Sequence, residues 1–152
     1  MNSELITALR QAFIYPHDCL EIEVLETHIS WIILTGEVAY KIKKPVDFGF
    51  LNFTTLAQRK QYCEAELTLN SRSAPDLYLG LVDIRGSDTQ PSLDGSGPVI
   101  EYAIKMKQFA KGQLFSELHQ ANKLQFEHID ELAQQVATFH SEIQVAKESC
   151  RY

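Results

Sequence analysis

Apolar residues recur at two different spacings along the chain, and these spacings predict its helices and strands. Across Glu4–Phe13 they recur every three or four positions, which predicts a short amphipathic helix. Three runs rich in Ile, Val and aromatic residues follow, at Leu20–Leu25, Ile29–Leu34 and Val38–Lys43. Such runs are typical of strands. The first third of the chain is therefore predicted to form one helix and three strands.

The remaining two thirds predict a long helix, two more strands and a helical C-terminal part. These segments are a helix capped by Thr54 or Thr55 and ending near Ser71, strands at Leu77–Ile84 and Val99–Met106, and helices at Gln113–Gln120 and Ile129–Ile143. A polar stretch between the last two strands predicts a long hairpin loop. The order of elements predicts an α+β fold with about five antiparallel strands and one helix packed on the sheet after strand three.

Composition narrows the class of protein. A chain of 152 residues is long enough for one domain, and its 45% apolar and 22% charged residues are ordinary for a soluble globular protein. The net charge of −6 argues against a nucleic-acid partner, and no apolar run is long enough to cross a membrane. Cys19, Cys63 and Cys150 form no close pair, and the N-terminus lacks a signal-peptide pattern. We therefore expect a cytoplasmic protein with reduced thiols and no metal of its own.

The third predicted strand carries the candidate chemistry. Strand alternation places Ala39, Lys41 and Lys43 on one face, opposite the apolar Tyr40 and Ile42. The pattern Val-Ala-x-Lys is the one with which protein kinases hold the lysine that contacts nucleotide phosphates. A lysine suits this role because its flexible stem carries a compact charge. We therefore expect Lys41 to contact phosphate, with Lys43 as the second candidate.

The helix after this strand offers a partner for the lysine. In kinase small lobes that helix supplies a glutamate that pairs with the strand-three lysine. Glu64 and Glu66 are both available, and Glu66 lies beside the Cys63–Leu67 stripe that should face the sheet. Glu66 is therefore the predicted partner. The end of the last strand, Met106–Gln108, would form the hinge that encloses an adenine ring together with Ala39.

Three blocks of sequence resemble one group of bacterial proteins. The blocks are Glu26–Trp31 continued by Thr35–Leu51, the segment Cys63–Leu79 that includes Glu66, Asn70, Arg72 and Pro75, and the segment Glu101–Phe109. They resemble aminoglycoside-phosphotransferase-like proteins, which are often fused to a C-terminal P-loop ATPase domain. The resemblance extends from about residue 20 to residue 140.

This resemblance implies a protein-kinase-like fold that binds ATP, with Mg entering on the nucleotide, and an unknown small-molecule acceptor. Residues 1–108 would form the small, nucleotide-binding lobe with an N-terminal helix. Residues 109–152 would form the hinge and the first helices of an incomplete large lobe. The implied nucleotide-binding residues are Lys41, Glu66, Ala39, Lys43, Met106 and Gln108.

Two departures from the kinase pattern suggest an alternative. No glycine-rich loop joins the first two strands, because Thr27–Ser30 takes its place, although the hydroxyls of Thr27 and Ser30 could substitute. No His-Gly-Asp catalytic loop occurs, so we predict no catalytic residue or metal ligand here and an inactive chain when alone. The alternative is a non-catalytic kinase-like module that regulates a fused or partner ATPase.

The phenylalanines after the third strand give an expectation about surface. Phe48, Phe50 and Phe53 are expected to form a core cluster. If a large lobe is absent, some apolar surface would be exposed and could drive self-association.

Overall fold

A computed structural model describes residues 3–19, 21–143 and 145. Leu20, where the first strand was predicted to start, lies outside the described residues. So do residue 144 and residues 146–152, which include Cys150. The chain divides into two compact units, Met1–Phe109 and Ala110–Tyr152. Each unit is described separately below.

The first unit is built on one antiparallel sheet. Its strands are β1 (Glu23–Glu26), β2 (Ser30–Leu34), β3 (Val38–Lys43), β4 (Tyr78–Gly86), β5 (Pro91–Leu93) and β6 (Val99–Lys107). The order across the sheet is β1-β2-β3-β6-β4-β5, and every neighbouring pair is antiparallel. The predicted α+β class is confirmed, and the described residues contain six strands where about five were predicted.

The additional strand is β5, which lies within the segment predicted to be a loop. It pairs with β4 through the partners Ile84 and Leu93, and Gly86 and Pro91. Proline is tolerated in a sheet at an edge, where no neighbour needs its missing N–H. The residues around Pro91 are typical of turns, so the local sequence pattern predicted a loop where the structure has this short edge strand.

The helices of the described residues are α1 (Ser3–Ala8), a 3₁₀ turn (Ala12–Ile14), α2 (Leu56–Asn70), α3 (Phe115–Gln120) and α4 (Phe126–Glu142). The helix predicted across Glu4–Phe13 is wrong in its second half, because α1 ends at Ala8 and a 3₁₀ turn follows. Leu5 and Leu9 are buried as the apolar spacing predicted, but Phe13 is exposed.

The main core of the first unit lies between α1 and one face of the sheet. Leu5 and Leu9 pack there with Tyr40 and Ile42 of β3 and with Ile33 of β2. The remaining buried members of this cluster are Ile6, Tyr15, Val82, Ile84 and Ala103. The strand alternation predicted for β3 is therefore confirmed, since Tyr40 and Ile42 belong to this core.

Helix α2 packs against β6 and β4. Its N-cap is Thr55, one of the two predicted candidates. The Gln58 amide donates to Thr55 Oγ1 at 3.2 Å, and Gln58 Oε1 accepts from the Thr55 amide at 3.1 Å. This capping box satisfies backbone donors that the first turn of a helix leaves without partners. The helix start is thus determined locally by Thr55-x-x-Gln58.

The second unit contains α3 and α4. The periodic apolar positions of α4 include Ile129, Leu132 and Val136, and all three are substantially exposed. Among the described residues, no helix has both the length and the apolar character that crossing a bilayer would require.

Candidate functional site

Strand β3 fixes the backbone positions of the two predicted lysines. It lies between β2 and β6, so it is hydrogen-bonded on both sides. Lys41 is opposite Ile32 of β2 and Ile104 of β6, and Lys43 is opposite Ser30. Because alternate residues of a strand point to the same side, both lysines project to the side opposite the Tyr40 core.

Glu66 of α2 joins both lysines. Lys41 Nζ donates to Glu66 Oε1 at 2.7 Å, and Lys43 Nζ donates to Glu66 Oε2 at 2.7 Å. The predicted contact between Lys41 and Glu66 is therefore present. Glu64, the rejected alternative, lies on the exposed side of the helix and approaches Lys60 at 3.8 Å.

The three charged side chains differ in accessibility. The side chain of Lys41 is 26% exposed, that of Glu66 14% and that of Lys43 5%. The Lys43 ammonium also lies over the Phe53 ring, 4.9 Å from its centroid. Lys43 is therefore enclosed within the protein. Of the two candidate phosphate ligands, Lys41 is the one with an accessible charge.

The group formed by Lys41, Lys43 and Glu66 carries more positive than negative charge. Burial favours a raised pKa for Glu66, but the hydrogen bonds and charges of Lys41 and Lys43 outweigh burial and lower its pKa from the usual 4.5. With the glutamate ionised, the two ammonium groups and one carboxylate carry one net positive charge. This excess charge would attract an anion to Lys41, the accessible member.

The predicted adenine-contacting residues occupy two different settings. Ala39 and Met106 are partners across β3 and β6, so they are adjacent, although Ala39 itself is buried. Gln108 is directed toward the β2–β3 turn. Its Oε1 accepts from the amides of Thr35 and Gly36 at 3.0 and 3.1 Å. The side chain of Gln108 thus stabilises the β2–β3 turn by accepting two backbone hydrogen bonds.

The predicted hinge amides are also engaged. The amide of Lys107 donates to the Leu77 carbonyl at 2.8 Å, and that of Gln108 donates to the Glu37 carbonyl at 2.8 Å. An adenine edge would therefore need a backbone donor beyond these two residues. The Gln108 amide thus has a partner within the protein, and contact of Met106–Gln108 with an adenine ring stays a prediction.

The β1–β2 turn does not provide the hydroxyls suggested as substitutes for a glycine loop. Thr27 Oγ1 donates to the Ser30 carbonyl at 3.1 Å and accepts from the Ser30 amide at 3.0 Å. Ser30 Oγ is buried and has no hydrogen-bond partner among the described residues. The Thr27 hydroxyl therefore closes the turn, and the Ser30 hydroxyl is not accessible to a phosphate.

A second ion pair beneath α2 was missed from the sequence. Arg59 Nε donates to Glu101 Oε2 at 2.8 Å and to Oε1 at 3.0 Å, and Arg59 Nη1 donates to the Phe53 carbonyl at 2.9 Å. Burial raises the pKa of Glu101, against the opposing effects of Arg59 and the Tyr102 amide. Both partners are buried.

A signal for this pair exists in the spacing of α2. Arg59, Cys63, Glu66 and Asn70 are separated by four, three and four positions, which places them on one helix face. Cys63 is buried, as predicted, and burial raises the pKa of its thiol to about 11. The sequence analysis placed Glu66 beside this face but did not include Arg59.

The expected phenylalanine cluster is split. Phe53 is buried and packs edge-on against Tyr62, with ring centroids 4.9 Å apart. Phe48 and Phe50 are exposed, and their rings stack at 6.3 Å. A short turn closed by the Phe48 amide and the Leu51 carbonyl, at 2.9 Å, holds them away from the core. The prediction of one core cluster was wrong for these two residues.

Two observations bear on metals and cavities. Within residues 3–19, 21–143 and 145, no group of three or more His, Cys, Asp or Glu side chains is arranged to hold a metal ion. A groove of about 690 Å³ lies between the N-terminal helical segment and the β5 region, with Ala8, Phe13 and Pro91 in its lining. Neither Lys41 nor Glu66 lines that groove.

Comparison with known proteins gives relatives without an assigned activity. No family model and no solved structure matches the chain. The chain is 33% identical over 123 residues to uncharacterized proteins of Mycobacterium bovis and Mycobacterium tuberculosis. The matched segment covers 81% of this chain and 23% of each relative. The chain thus spans about a quarter of the length of the curated relatives that it matches.

Proposed function

We propose that this chain is the ATP-binding lobe of an aminoglycoside-phosphotransferase-like small-molecule kinase. The observation that carries the proposal is the 2.7 Å contact between Lys41 of β3 and Glu66 of the helix that follows it. A strand-three lysine paired with a glutamate of the next helix is how kinases prepare a cation for nucleotide phosphates.

The chemistry of Lys41 supports this role. An ammonium group has three N–H donors, and Glu66 Oε1 takes one of them at 2.7 Å. Lys41 is also the accessible member of a group with one net positive charge. A phosphate oxygen would thus gain a charge-assisted hydrogen bond from a lysine that is already oriented. Met106, next to Ala39 across the strand pair, would contribute apolar surface for the adenine ring.

Phosphate transfer is proposed for the whole protein. The Mg that accompanies ATP would be held by groups of the large lobe, as in protein kinases. The remaining length of the mycobacterial relatives is sufficient for a large lobe and for a further domain such as a P-loop ATPase. The proposed setting is the cytoplasm, with an unknown small-molecule acceptor.

Isothermal titration calorimetry with Mg-ATP tests the proposal. The wild-type chain should bind, and Lys41→Met should weaken binding by tenfold or more, about the effect of one charge-assisted hydrogen bond. Lys60→Met is the matched control, because Lys60 lies on the exposed side of α2. Its affinity should equal that of the wild type. An unchanged affinity in Lys41→Met, or no binding by the wild-type chain, would contradict the proposal.

A second candidate function is a non-catalytic kinase-like module that regulates a fused or partner ATPase. The observation that favours it is the β1–β2 turn, where Thr27 is engaged with Ser30 and no glycine allows close approach of the backbone to phosphate. This candidate predicts that the chain changes the ATPase rate of its partner domain and that Lys41→Met leaves this effect intact. A rate assay with and without the chain separates the two functions.

A further inference from the structure

Lys43 has a different setting from Lys41, although both bind the same carboxylate. Its ammonium contacts Glu66 Oε2 at 2.7 Å and the Phe53 ring face at 4.9 Å from the centroid. Lys43 is buried, at 4% exposure. A ligand therefore cannot reach this charge without displacing α2 or Phe53.

A buried lysine is costly unless it is paired, so the position needs a compensating partner. Glu66 is the partner that the structure provides. Lys43 in turn stabilises the orientation of Glu66. Its hydrogen bond to Oε2, together with that of Lys41 to Oε1, fixes the carboxylate through both oxygens. A carboxylate held at two points cannot rotate away from Lys41.

The charge balance depends on Lys43. Without it, Lys41 and Glu66 would form a neutral pair, and an anion approaching Lys41 would also meet the full charge of Glu66. Arg59, Tyr62 and Cys63 of α2 and Glu101 of β6 also lie near this site. Arg59 and Glu101 pair with each other, so they do not replace the charge of Lys43.

We propose that Lys43 is a positioning residue, which holds Glu66 ionised and oriented so that Lys41 alone meets the phosphate groups of the ligand. The part that concerns the ligand rests on the proposed nucleotide-binding function. The part that concerns Glu66 does not, because it is a property of the protein without nucleotide.

The first experiment uses no nucleotide and follows the Glu66 carboxyl by ¹³C NMR as a function of pH. Lys43→Met should raise the pKa of Glu66, since one hydrogen bond and one positive charge are lost while burial remains. Lys60→Met should leave it unchanged. An unaltered titration of Glu66 in Lys43→Met would overturn the inference.

A wild-type measurement covers the case in which Lys43→Met does not fold. The ammonium hydrogens of Lys43 should exchange with solvent more slowly than those of Lys60, because Lys43 is enclosed and paired. Equal exchange rates for the two lysines would overturn the inference.

The second experiment adds Mg-ATP. The Lys41 ammonium signal should shift while that of Lys43 stays in place, and Lys43→Met should weaken binding by about tenfold. The double variant Lys43→Met/Glu66→Gln restores the net charge but not the orientation, so its affinity should remain low.

The outcomes of the two experiments are distinguishable. No binding by the wild-type chain would refute the proposed function, while the titration of Glu66 would still decide whether Lys43 positions it. A Lys43 signal that shifts as strongly as that of Lys41 would overturn the positioning role. Full recovery of affinity in Lys43→Met/Glu66→Gln would do the same, by showing that net charge alone matters.

Discussion

Lys41 and Lys43 are chemically identical and share one face of one strand, yet their surroundings assign them different roles. Lys41 remains accessible, whereas the Phe53 ring and Glu66 enclose Lys43. At the scale of single residues, burial decides which charge is available to a ligand. Residue type and spacing found both lysines and placed Lys41 first, but they did not show that Lys43 is enclosed.

Cys63 permits a test of residue-scale burial. The thiolate is the reactive form of cysteine, and burial raises the pKa of this thiol from 9.0 to about 11. We expect a Cys19→Ser/Cys150→Ser variant, which keeps Cys63, to react with a thiol reagent at neutral pH only as fast as the protein unfolds. Absorbance of the released chromophore measures the rate.

The matched control is a Cys63→Ser/Cys150→Ser variant, which keeps the partly buried Cys19. Cys19 should react faster than Cys63 in the folded protein, and the two should react alike in concentrated guanidinium chloride. Rapid reaction of Cys63 in native buffer would show that α2 does not enclose the thiol.

At the scale of elements, α2 is unusual because its inward face carries charge. Its sheet-facing positions include Arg59 and Glu66, which pair with Glu101 and with the two lysines of β3. A prediction that follows apolar periodicity finds such a helix and the side that carries Cys63 and Glu66, but it omits Arg59 from that side. The partners needed to recognise that face are distant in sequence.

The Arg59–Glu101 pair should be strongly coupled. Arg59→Met and Glu101→Gln should each lower the free energy of unfolding by about 3–5 kcal/mol, because each leaves a buried charge without its partner. The double variant should cost clearly less than the sum of the two single variants. Urea unfolding of all four proteins measures the coupling.

Lys60→Met serves as the control, and it should cost no more than about 1 kcal/mol, because Lys60 makes only an exposed pair with Glu64 and a contact with the Tyr102 ring. Strictly additive effects of Arg59→Met and Glu101→Gln would contradict the coupling across α2 and β6.

At the scale of the whole molecule, the buried apolar cluster of the described residues lies in the first unit. Its buried cluster includes Leu5 near the N-terminus and Ala103 in β6, all within Met1–Phe109. The second unit, by contrast, leaves apolar positions of α4 exposed. The segment predicted as the first helices of a large lobe forms α3 and α4, and its identity as part of such a lobe stays a prediction.

We expect a fragment of residues 1–109 to fold by itself, since it contains the whole sheet, α1 and α2. Its thermal unfolding, followed by circular dichroism, should remain cooperative. Loss of the cooperative transition would show that the second unit is needed for folding.

The exposed apolar residues bear on the predicted self-association. Phe48 and Phe50 lie on the surface of the first unit. Exposed apolar surface of this kind favours association, and the self-association predicted from the sequence stays a prediction.

By itself the sequence determined most of the elements and the candidate residues, but not β5 or the end of α1. The alternation of β3, the Thr55 cap and the succession of three strands, a helix and further strands follow from local spacing and local hydrogen bonds. The choice of Glu66 over Glu64 likewise required only helix periodicity. These features depend on neighbours within a few residues, so the sequence alone is sufficient to predict them.

Only the tertiary structure decided which charged residues of different elements pair and which side chains are buried. It placed Glu66 between two lysines, joined Arg59 to Glu101, and directed Gln108 to the Thr35–Gly36 turn. It also left Phe48 exposed and made a strand of Pro91–Leu93. Each outcome depends on burial or pairing between segments far apart in sequence, which local spacing does not encode.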